Sequence, residues 1–378
     1  MKRYSHLYEK ICTMDNLEWA LERAAKGKKY KKSVRYVLAH KQEPLERLQG
    51  ILLTHSFHTH KYRVKTIHEP KERIIYILPF YPDRIVHHAI MNVLEPIFES
   101  FFINDSYACR SGKGQHLGSF RCMEFVRRDP YVIQCDVSKF YPSIPHDKLK
   151  AVLLRKFKDK ALLDLLSDII DSADGVPIGN YISQWLGNLY MNELDQYVKQ
   201  QLHVKDYFRY CDDFFLFGTK ERMKEIRPLV VSYVGDTLGM KLSKCLLYPT
   251  SHGVDSLGYR HFPNGKILLR KSTAKRIRTR MKGLPHALRI GEVTVERAEG
   301  QIASAWGCLK HANTFHLRYQ LNLGELRKAG ERLRNGSATS AERMRLTVRS
   351  SRSARCSTRK SSFARTVSRT ASTARALI

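Results

Sequence analysis

The chain has 378 residues, of which 43% are hydrophobic, so it is long enough for two or three packed units with a sizeable core. Its 66 Lys and Arg residues outnumber 36 Asp and Glu residues and give a formal net charge of +30, which indicates a polyanionic partner such as nucleic acid. The sequence has no apolar stretch long enough to span a bilayer, no basic amphipathic anchor and no signal-peptide core at its first residues, so we expect a cytoplasmic protein without a membrane partner.

The first predicted elements are basic helices over residues 1–65. Apolar residues recur at helical spacing within Leu17–Ala24 and again within Leu45–Leu52. The run Lys26-Gly-Lys-Lys-Tyr-Lys-Lys32 separates these stripes. Such a run is either a solvated face or, with an aromatic residue inside it, a contact for phosphates.

An extended pair of strands is predicted over residues 66–82, with its turn at Glu69-Pro-Lys-Glu72. A helix is expected to start near Asp83, and a Gly-rich basic loop over 106–119 to lead into another helix near His116.

In the middle of the chain, the sequence pattern predicts strands that end in acidic residues. The run Tyr131-Val-Ile-Gln-Cys-Asp136 reads as a strand, helices are expected over 145–175 and after Gly175, and residues 204–218 read as a hairpin with Asp212 and Asp213 at its turn.

Further along, a helix over 220–238 precedes a pair of strands that runs through Tyr259, and basic helices are expected from Arg270 to about Leu323. Residues 335–378 are rich in Ser, Thr, Ala and Arg without stable periodicity, which predicts disorder. None of the eight cysteines forms a Cys-x-x-Cys pair, so the sequence predicts no zinc site and suits a reducing cytoplasm.

Three aspartates at strand ends are the strongest chemical signal. Adjacent acids such as Asp212 and Asp213 repel each other, so a fold that holds them together usually supplies a cation. Together with Asp136 they could hold two Mg²⁺ ions for phosphoryl transfer. Taken singly, the Asp-Asp pair could be a solvated turn and Asp136 a helix cap.

The pattern Tyr210-Cys-Asp-Asp213, downstream of Asp136-Val-Ser-Lys-Phe-Tyr141, resembles the palm motifs of reverse transcriptases. From about Leu7 to Leu323 the chain resembles prokaryotic enzymes related to group II introns. Ile178-Gly-Asn-Tyr-Ile-Ser-Gln184 departs from the Gln-Gly…Ser-Pro pattern of most of that group and resembles the reverse transcriptases of diversity-generating retroelements.

The resemblance implies roles for individual residues. Asp136, Asp212 and Asp213 are the expected catalytic and metal ligands, with the backbone carbonyl of Val137 completing a metal shell. Two Mg²⁺ ions are the expected cofactor, with Mn²⁺ as a substitute. The expected contacts to the incoming nucleotide are Arg73 (with Lys71 weaker), Tyr141 under the sugar, Ile178, Gly179 and Gln184 beside the base pair, and Lys244 near the pyrophosphate. Template or duplex contacts are expected at Arg110, Lys113, Lys271 and Lys275.

The implied fold is an α/β (α+β) right hand with fingers, an antiparallel-sheet palm and a helical thumb. The predicted divisions are a basic helical extension at 1–65, fingers at 66–130 and 145–185, palm at 131–144 and 186–265, thumb at 266–334 and a tail at 335–378.

The implied activity is copying a template repeat RNA into cDNA with adenine-directed errors, for mutagenic retrohoming. The implied partners are the RNA template, the cDNA/primer duplex, dNTPs and a small basic helical accessory protein that forms an oligomer; the implied setting is a prokaryotic cytoplasm or a phage gene. Two alternatives stay open: an ordinary-fidelity group II intron-like or retron-like reverse transcriptase, and a catalytically silent RNA-binding protein on this scaffold.

Overall fold

The computed structural model describes residues 3–68 and 72–322, which form two compact units divided between Leu257 and Gly258. The predicted turn with Lys71 and the predicted tail at 335–378 lie outside the described residues. Within the described ranges, no helix combines the length and apolarity needed to cross a bilayer.

The first unit begins with the predicted basic helices. The apolar stripes within Leu17–Ala24 and Leu45–Leu52 are buried, as their spacing predicts, and Thr13 caps the second helix by accepting a hydrogen bond from the backbone N–H of Asn16. These helices are α1 (Tyr8–Ile11), α2 (Met14–Ala25), α3 (Lys32–Ala39) and α4 (Gln42–Leu53).

A two-stranded antiparallel hairpin follows, formed by β1 (Arg63–Ile67) and β2 (Arg73–Ile77), so the predicted extended pair is confirmed. A kinked segment at Phe80–Arg84, in which Tyr81 is extended, then leads into the long helix α5 (Ile85–Phe101), against which α2 packs. The Gly-rich loop ends where α6 (Gln115–Arg128) begins.

The centre of the first unit is a four-stranded antiparallel sheet in the order β4-β5-β3-β6. Aromatic and branched residues dominate its strands, and most of them are buried on both faces. The strands are β3 (Tyr131–Val137), β4 (Tyr207–Tyr210), β5 (Asp213–Gly218) and β6 (Leu242–Pro249), with the short β7 (Val254–Ser256) after them.

Helices pack against this sheet and fill the main core. The helix after Gly175 is buried on nearly all sides, which explains why its sequence is apolar beyond a single stripe. These helices are α7 (Phe140–Ser143), α8 (His146–Lys156), α9 (Lys160–Asp171), α10 (Tyr181–Gln196) and α11 (Lys220–Ser232), with π-helical turns at Tyr197–Gln201 and Tyr233–Thr237.

The second unit has its own small core. The antiparallel strands β8 (Tyr259–His261) and β9 (Ile267–Leu269) precede α12 (Lys271–Arg289), α13 (Val295–Lys310) and α14 (Phe315–Gln320), and α12 packs on α13. The predicted thumb starts at 266, whereas this unit starts at Gly258, because the β8–β9 hairpin belongs to it. The α/β fold class with an antiparallel central sheet is confirmed, and the named subdomain divisions stay predictions.

Candidate active site

The sheet brings the three predicted catalytic aspartates to one of its ends. Asp212 and Asp213 lie at the tight turn between β4 and β5, where Cys211 adopts a left-handed backbone conformation with φ of 59°. In the β3–β5 ladder Asp136 pairs directly with Asp213, and in the β3–β6 ladder Asp136 pairs with Lys244. Because β3 lies between β5 and β6, Asp136 meets Asp213 and Lys244, which are remote from it in the sequence.

A bulge beside Asp136 supplies a polar contact that the sequence does not reveal. The β3–β6 pairing shifts between Asp136 and Val137, so that Val137 pairs with Leu242 and Ser243 is passed over. The hydroxyl of Ser243 donates to the carboxylate of Asp136. The Val137 N–H approaches the carbonyl of Asp212 at 3.4 Å, which ties the two acidic segments together.

Burial and like charge raise the pKa values of the two adjacent acids. Burial raises the pKa of Asp212, and the charge of Asp136 adds to this effect, whereas Arg73 opposes it. Burial also raises the pKa of Asp213 to about 6, against the stabilising charge of Lys244, whose Nζ lies 3.6 Å from Asp213 Oδ1. The site thus concentrates negative charge that the protein only partly neutralises.

This donor set fits Mg²⁺, which prefers oxygen ligands. Within residues 3–68 and 72–322, no three acidic, His or Cys side chains are already gathered around one metal position. Two of the three carboxylates already have partners in the protein, since Ser243 donates to Asp136 and Lys244 attracts Asp213. The metal roles of Asp136, Val137, Asp212 and Asp213 stay predictions, supported by the position of the three carboxylates at one sheet end and by their excess negative charge.

Stabilisation by Mg²⁺ should depend on pH. A carboxylate with a raised pKa is most favourable in the folded, metal-free protein when protonated, and it loses that advantage as pH rises through about 6. Mg²⁺ needs the deprotonated carboxylate, so its affinity should grow over the same interval. The rise in melting temperature on adding Mg²⁺ should therefore be larger at pH 7.5 than at pH 5.5. Asp213→Asn is the control and should flatten this difference; equal increments in the original protein would contradict the assignment.

A buried ion pair holds the acidic turn from behind, and the sequence analysis missed it. Arg209 is 0% exposed and its guanidinium binds the equally buried carboxylate of Asp195 on α10, with an Nη2–Oδ2 distance of 2.7 Å. Arg209 also donates to the carbonyl of Cys211 at 3.1 Å and to Asn188. The available signal was a charged residue inside the apolar run from Tyr207 to Phe217.

Tyr141 and the loop at Ile178 are linked to this turn. The hydroxyl of Tyr141 lies 3.5 Å from Cys211 Sγ. The carbonyl of Ile178 accepts a hydrogen bond from Tyr76 on β2 at 2.8 Å. Gly179 has φ of 124°, and any side chain there would collide with the Tyr76 carbonyl, so this position requires glycine. The loop is thereby fixed to the hairpin that carries Arg73.

The remaining predicted nucleotide contacts have different surroundings. Arg73 is exposed at the start of β2, and its charge reaches Asp212. Lys244 lies on β6 beside Asp213. Gln184 is exposed on the first turn of α10. The structure therefore brings Arg73 and Lys244 towards the acids, and the nucleotide roles of all these residues stay predictions.

The two predicted template contacts of the Gly-rich loop bind their own chain. Arg110 is 7% exposed at its side chain, pairs with Glu99 at 2.7 Å and donates to the carbonyls of Ile103 and Ser106. Lys113 donates to both oxygens of Asn104 at 2.8 Å. The guanidinium of Arg110 thus braces this loop, so we leave it out of the proposed template surface, and Lys113 would have to exchange its partner for a phosphate.

Lys271 and Lys275 lie in the second unit. Both are exposed on the first turns of α12, on a helix with many cations and no acid in its first turn. Their predicted contact with the template–primer duplex remains a prediction.

Comparison with known proteins decides the family. The family model described as reverse transcriptase (RNA-dependent DNA polymerase) matches residues 66–261, slightly more than half of the chain. The chain belongs to the reverse transcriptase family. The matched range contains β2, the central sheet and all three aspartates.

Curated relatives place it near the group II intron-type reverse transcriptases. Protein YkfC of Escherichia coli is 27% identical, with 48% of this chain and 61% of that protein covered. The group II intron-encoded protein LtrA of Lactococcus lactis is 23% identical, over 32% of this chain and 22% of its own length. The matched region therefore spans less than two thirds of either relative.

Among solved structures, the apo telomerase of Candida tropicalis has 10% identity and a TM-score of 0.44, with 70% of this reverse transcriptase and 61% of the telomerase covered. The telomerase of Candida albicans in complex with a fragment of telomeric RNA has 10% identity and a TM-score of 0.42, covering 77% and 63%.

Proposed function

We propose that this reverse transcriptase is an RNA-directed DNA polymerase that adds deoxynucleotides to a primer 3′ end. The observation that supports the proposal most is the convergence of Asp136, Asp212 and Asp213 at one end of the central sheet. Membership in the family and the basic surplus of +30 agree with an RNA template.

Two Mg²⁺ ions bound there would activate the attacking oxygen and stabilise the leaving one. The chain's own residues then bind and orient. Arg73 suits a phosphate because its planar fork donates two hydrogen bonds, and Lys244 lies where it can neutralise a pyrophosphate. The Ser243 hydroxyl fixes the direction of the Asp136 carboxylate.

Tyr141 is proposed to exclude ribonucleotides. Its ring packs against Gly187 and reaches Cys211, so it is held firmly beside the acidic turn. Tyr141→Ala should improve the use of ribonucleotides relative to deoxynucleotides about 10- to 100-fold in kcat/KM, since a steric barrier to one hydroxyl is of this size. Tyr141→Phe keeps the ring and should leave this ratio unchanged; an unchanged ratio in the alanine variant would remove the role.

We propose further that the enzyme makes adenine-directed errors when it copies a template repeat RNA, as in a diversity-generating retroelement. The support is Ile178, whose apolar side chain cannot brace a nucleotide by hydrogen bonds as a glutamine could. About 1.4 kcal/mol less discrimination corresponds to a tenfold higher error rate. In this setting the enzyme would work with a basic helical accessory oligomer, in a prokaryotic or phage-infected cytoplasm.

The test is the error spectrum of primer extension with Mg²⁺ on an RNA template that contains all four bases. Errors concentrated opposite template adenines, reduced about tenfold in Ile178→Gln, are the expected result. Val176→Ile, a buried position in the same loop, serves as a control that adds volume without a hydrogen-bonding group.

Low and even errors would instead favour the ordinary-fidelity alternative, which similarity to the group II intron-encoded protein supports. Absence of cDNA, also with the accessory protein and cognate RNA added, would favour the silent RNA-binding alternative.

A further inference from the structure

We propose that a groove on the first unit is a phosphate-binding site for the backbone of a single-stranded polynucleotide. The groove encloses about 340 Å³, within the range of about 300–1,000 Å³ usual for ligand sites. Its floor is apolar, with Val34 and the segment Ile77–Phe80. Its rim, which we call the basic rim, consists of Lys28, Lys31, Lys61, Arg63 and Arg84.

Within residues 3–68 and 72–322, no acidic side chain pairs with the basic rim. Among the described residues, none of these five side chains makes an ion pair or hydrogen bond with another residue. Asp83, the sequence neighbour of Arg84, is fully buried; it accepts from the His60 N–H at 3.0 Å and lies 3.1 Å from His60 Nδ1. In the part of the chain that the structure describes, five cations around one concavity therefore have no paired acid.

Two of these cations are also partly desolvated. Arg84 is half-buried, and the pKa of Lys28 is lowered by burial and by the positive charges of Arg84 and Lys31. Burying unpaired charge is unfavourable unless an opposite charge is supplied. An anion in the groove would supply it, and a phosphate matches both the Arg fork and the Lys point charges.

The surroundings favour a polynucleotide over a free phosphate. Tyr30, within the basic run, is 75% exposed, and Tyr36, on the helix that contributes Val34, is 63% exposed. Exposed rings beside cations offer stacking surfaces for unpaired bases, which free phosphate does not use. The apolar floor likewise suits a sugar or base better than an inorganic ion.

This inference rests on the proposed function in one respect: that function is the reason to expect the bound strand to be RNA. The groove and the proposed triphosphate contact lie at opposite ends of the β1–β2 hairpin: Arg63 pairs with Ile77 beside the groove, whereas Arg73 pairs with Ile67.

The test measures binding of a fluorescent 20-nucleotide single-stranded RNA by anisotropy, across a salt series, without Mg²⁺ or dNTPs. Lys61→Gln/Arg63→Gln changes two exposed positions and should bind about 10- to 100-fold more weakly at low salt. The slope of log affinity against log salt should become less steep by about 0.7 for each phosphate that the variant no longer neutralises. The variant Lys31→Gln/Arg84→Gln should show the same loss of affinity and the same change in salt slope as Lys61→Gln/Arg63→Gln. Its fold is checked by circular dichroism.

The matched control is Lys160→Gln/Lys224→Gln, which removes two exposed cations from α9 and α11. If it weakens binding as much as the rim variants do, the effect is general charge and the groove assignment is overturned. Tyr30→Ala should weaken binding of the single strand about fivefold or more while leaving a duplex of the same length unaffected.

A second arm separates the sources of phosphate. Binding of inorganic triphosphate and of a dNTP is measured in the same variants as the rise in melting temperature when each compound is added. If the rim variants lose only this binding and keep the RNA affinity and salt slope, the groove holds free nucleotides and the inference fails. The RNA-binding assay contains neither metal nor dNTP, so its result does not depend on polymerase activity. If the protein proves inactive in primer extension but its salt slope still depends on the basic rim, the proposed function is refuted and the groove assignment still holds.

Discussion

Asp212→Asn will reduce the rate of templated deoxynucleotide addition by a factor of about 10³ or more. Asp212 is half-buried at the β4–β5 turn, and its carboxylate is one of three at this sheet end. If Asp212 has its proposed role as a metal ligand, its loss would weaken the binding of a cation that would supply several kcal/mol of transition-state stabilisation, and each 1.36 kcal/mol is a factor of ten. The measurement is single-turnover primer extension at saturating Mg²⁺ and dNTP.

Asp164→Asn is the matched control for this change. Asp164 lies on α9, is exposed and pairs with Lys160 one turn away, so extension should stay at its original rate. The melting temperature of Asp212→Asn in the absence of metal should not fall, because removing one of several repelling carboxylates relieves the site. More than a tenth of the original rate in the Asp212 variant would refute its role as a metal ligand.

Asp195→Asn will destabilise the protein by about 3–5 kcal/mol, the range for breaking a buried ion pair on one side. It leaves the guanidinium of Arg209 at zero exposure with only neutral partners. The free energy of unfolding is measured by urea titration, and its slope against urea concentration should be the same in the variant and in the original protein. Asp164→Asn serves again as the exposed comparison and should leave that free energy near its original value.

The double variant Asp195→Leu/Arg209→Met separates stability from function. Replacing both charges with apolar groups should recover much of the stability lost in Asp195→Asn, because no unpaired charge remains. Extension should stay low, since the carbonyl of Cys211 loses the donor that holds the turn before Asp212. Recovery of the full rate together with stability would show that the ion pair serves the fold alone.

Local patterns predicted the elements well. The apolar and aromatic residues around Tyr210-Cys-Asp-Asp213 predicted a hairpin with acids at its turn, and β4 ends at Tyr210 while β5 begins at Asp213. The helical stripes at Leu17–Ala24 and Leu45–Leu52 are buried as predicted. These features depend on residues close together in the sequence, so periodicity is sufficient to find them.

Features that depend on contacts between remote segments could not be predicted from the sequence. The bulge that frees Ser243 for Asp136 depends on the register of β6 against β3, more than 100 residues apart. The partner of Arg209 lies on another element, so the sequence showed a misplaced charge without its counter-ion. Arg110 was predicted to face a template, but its guanidinium faces Glu99. Motif position indicates which loop a cation is on, and only packing decides where its side chain points.

The strands of the first unit differ in how their backbones are protected. β3, whose second-last residue is Asp136, is hydrogen-bonded on both sides, so its amide protons should exchange with solvent only when the whole unit unfolds. β1 and β2 form a hairpin of two strands, mostly exposed, and such hairpins open at much lower free energy. Asp136, a proposed metal ligand, therefore lies on backbone that should exchange slowly, whereas Arg73 lies on backbone that should exchange faster. If Arg73 has its proposed role, it could adjust to an arriving nucleotide without moving β3.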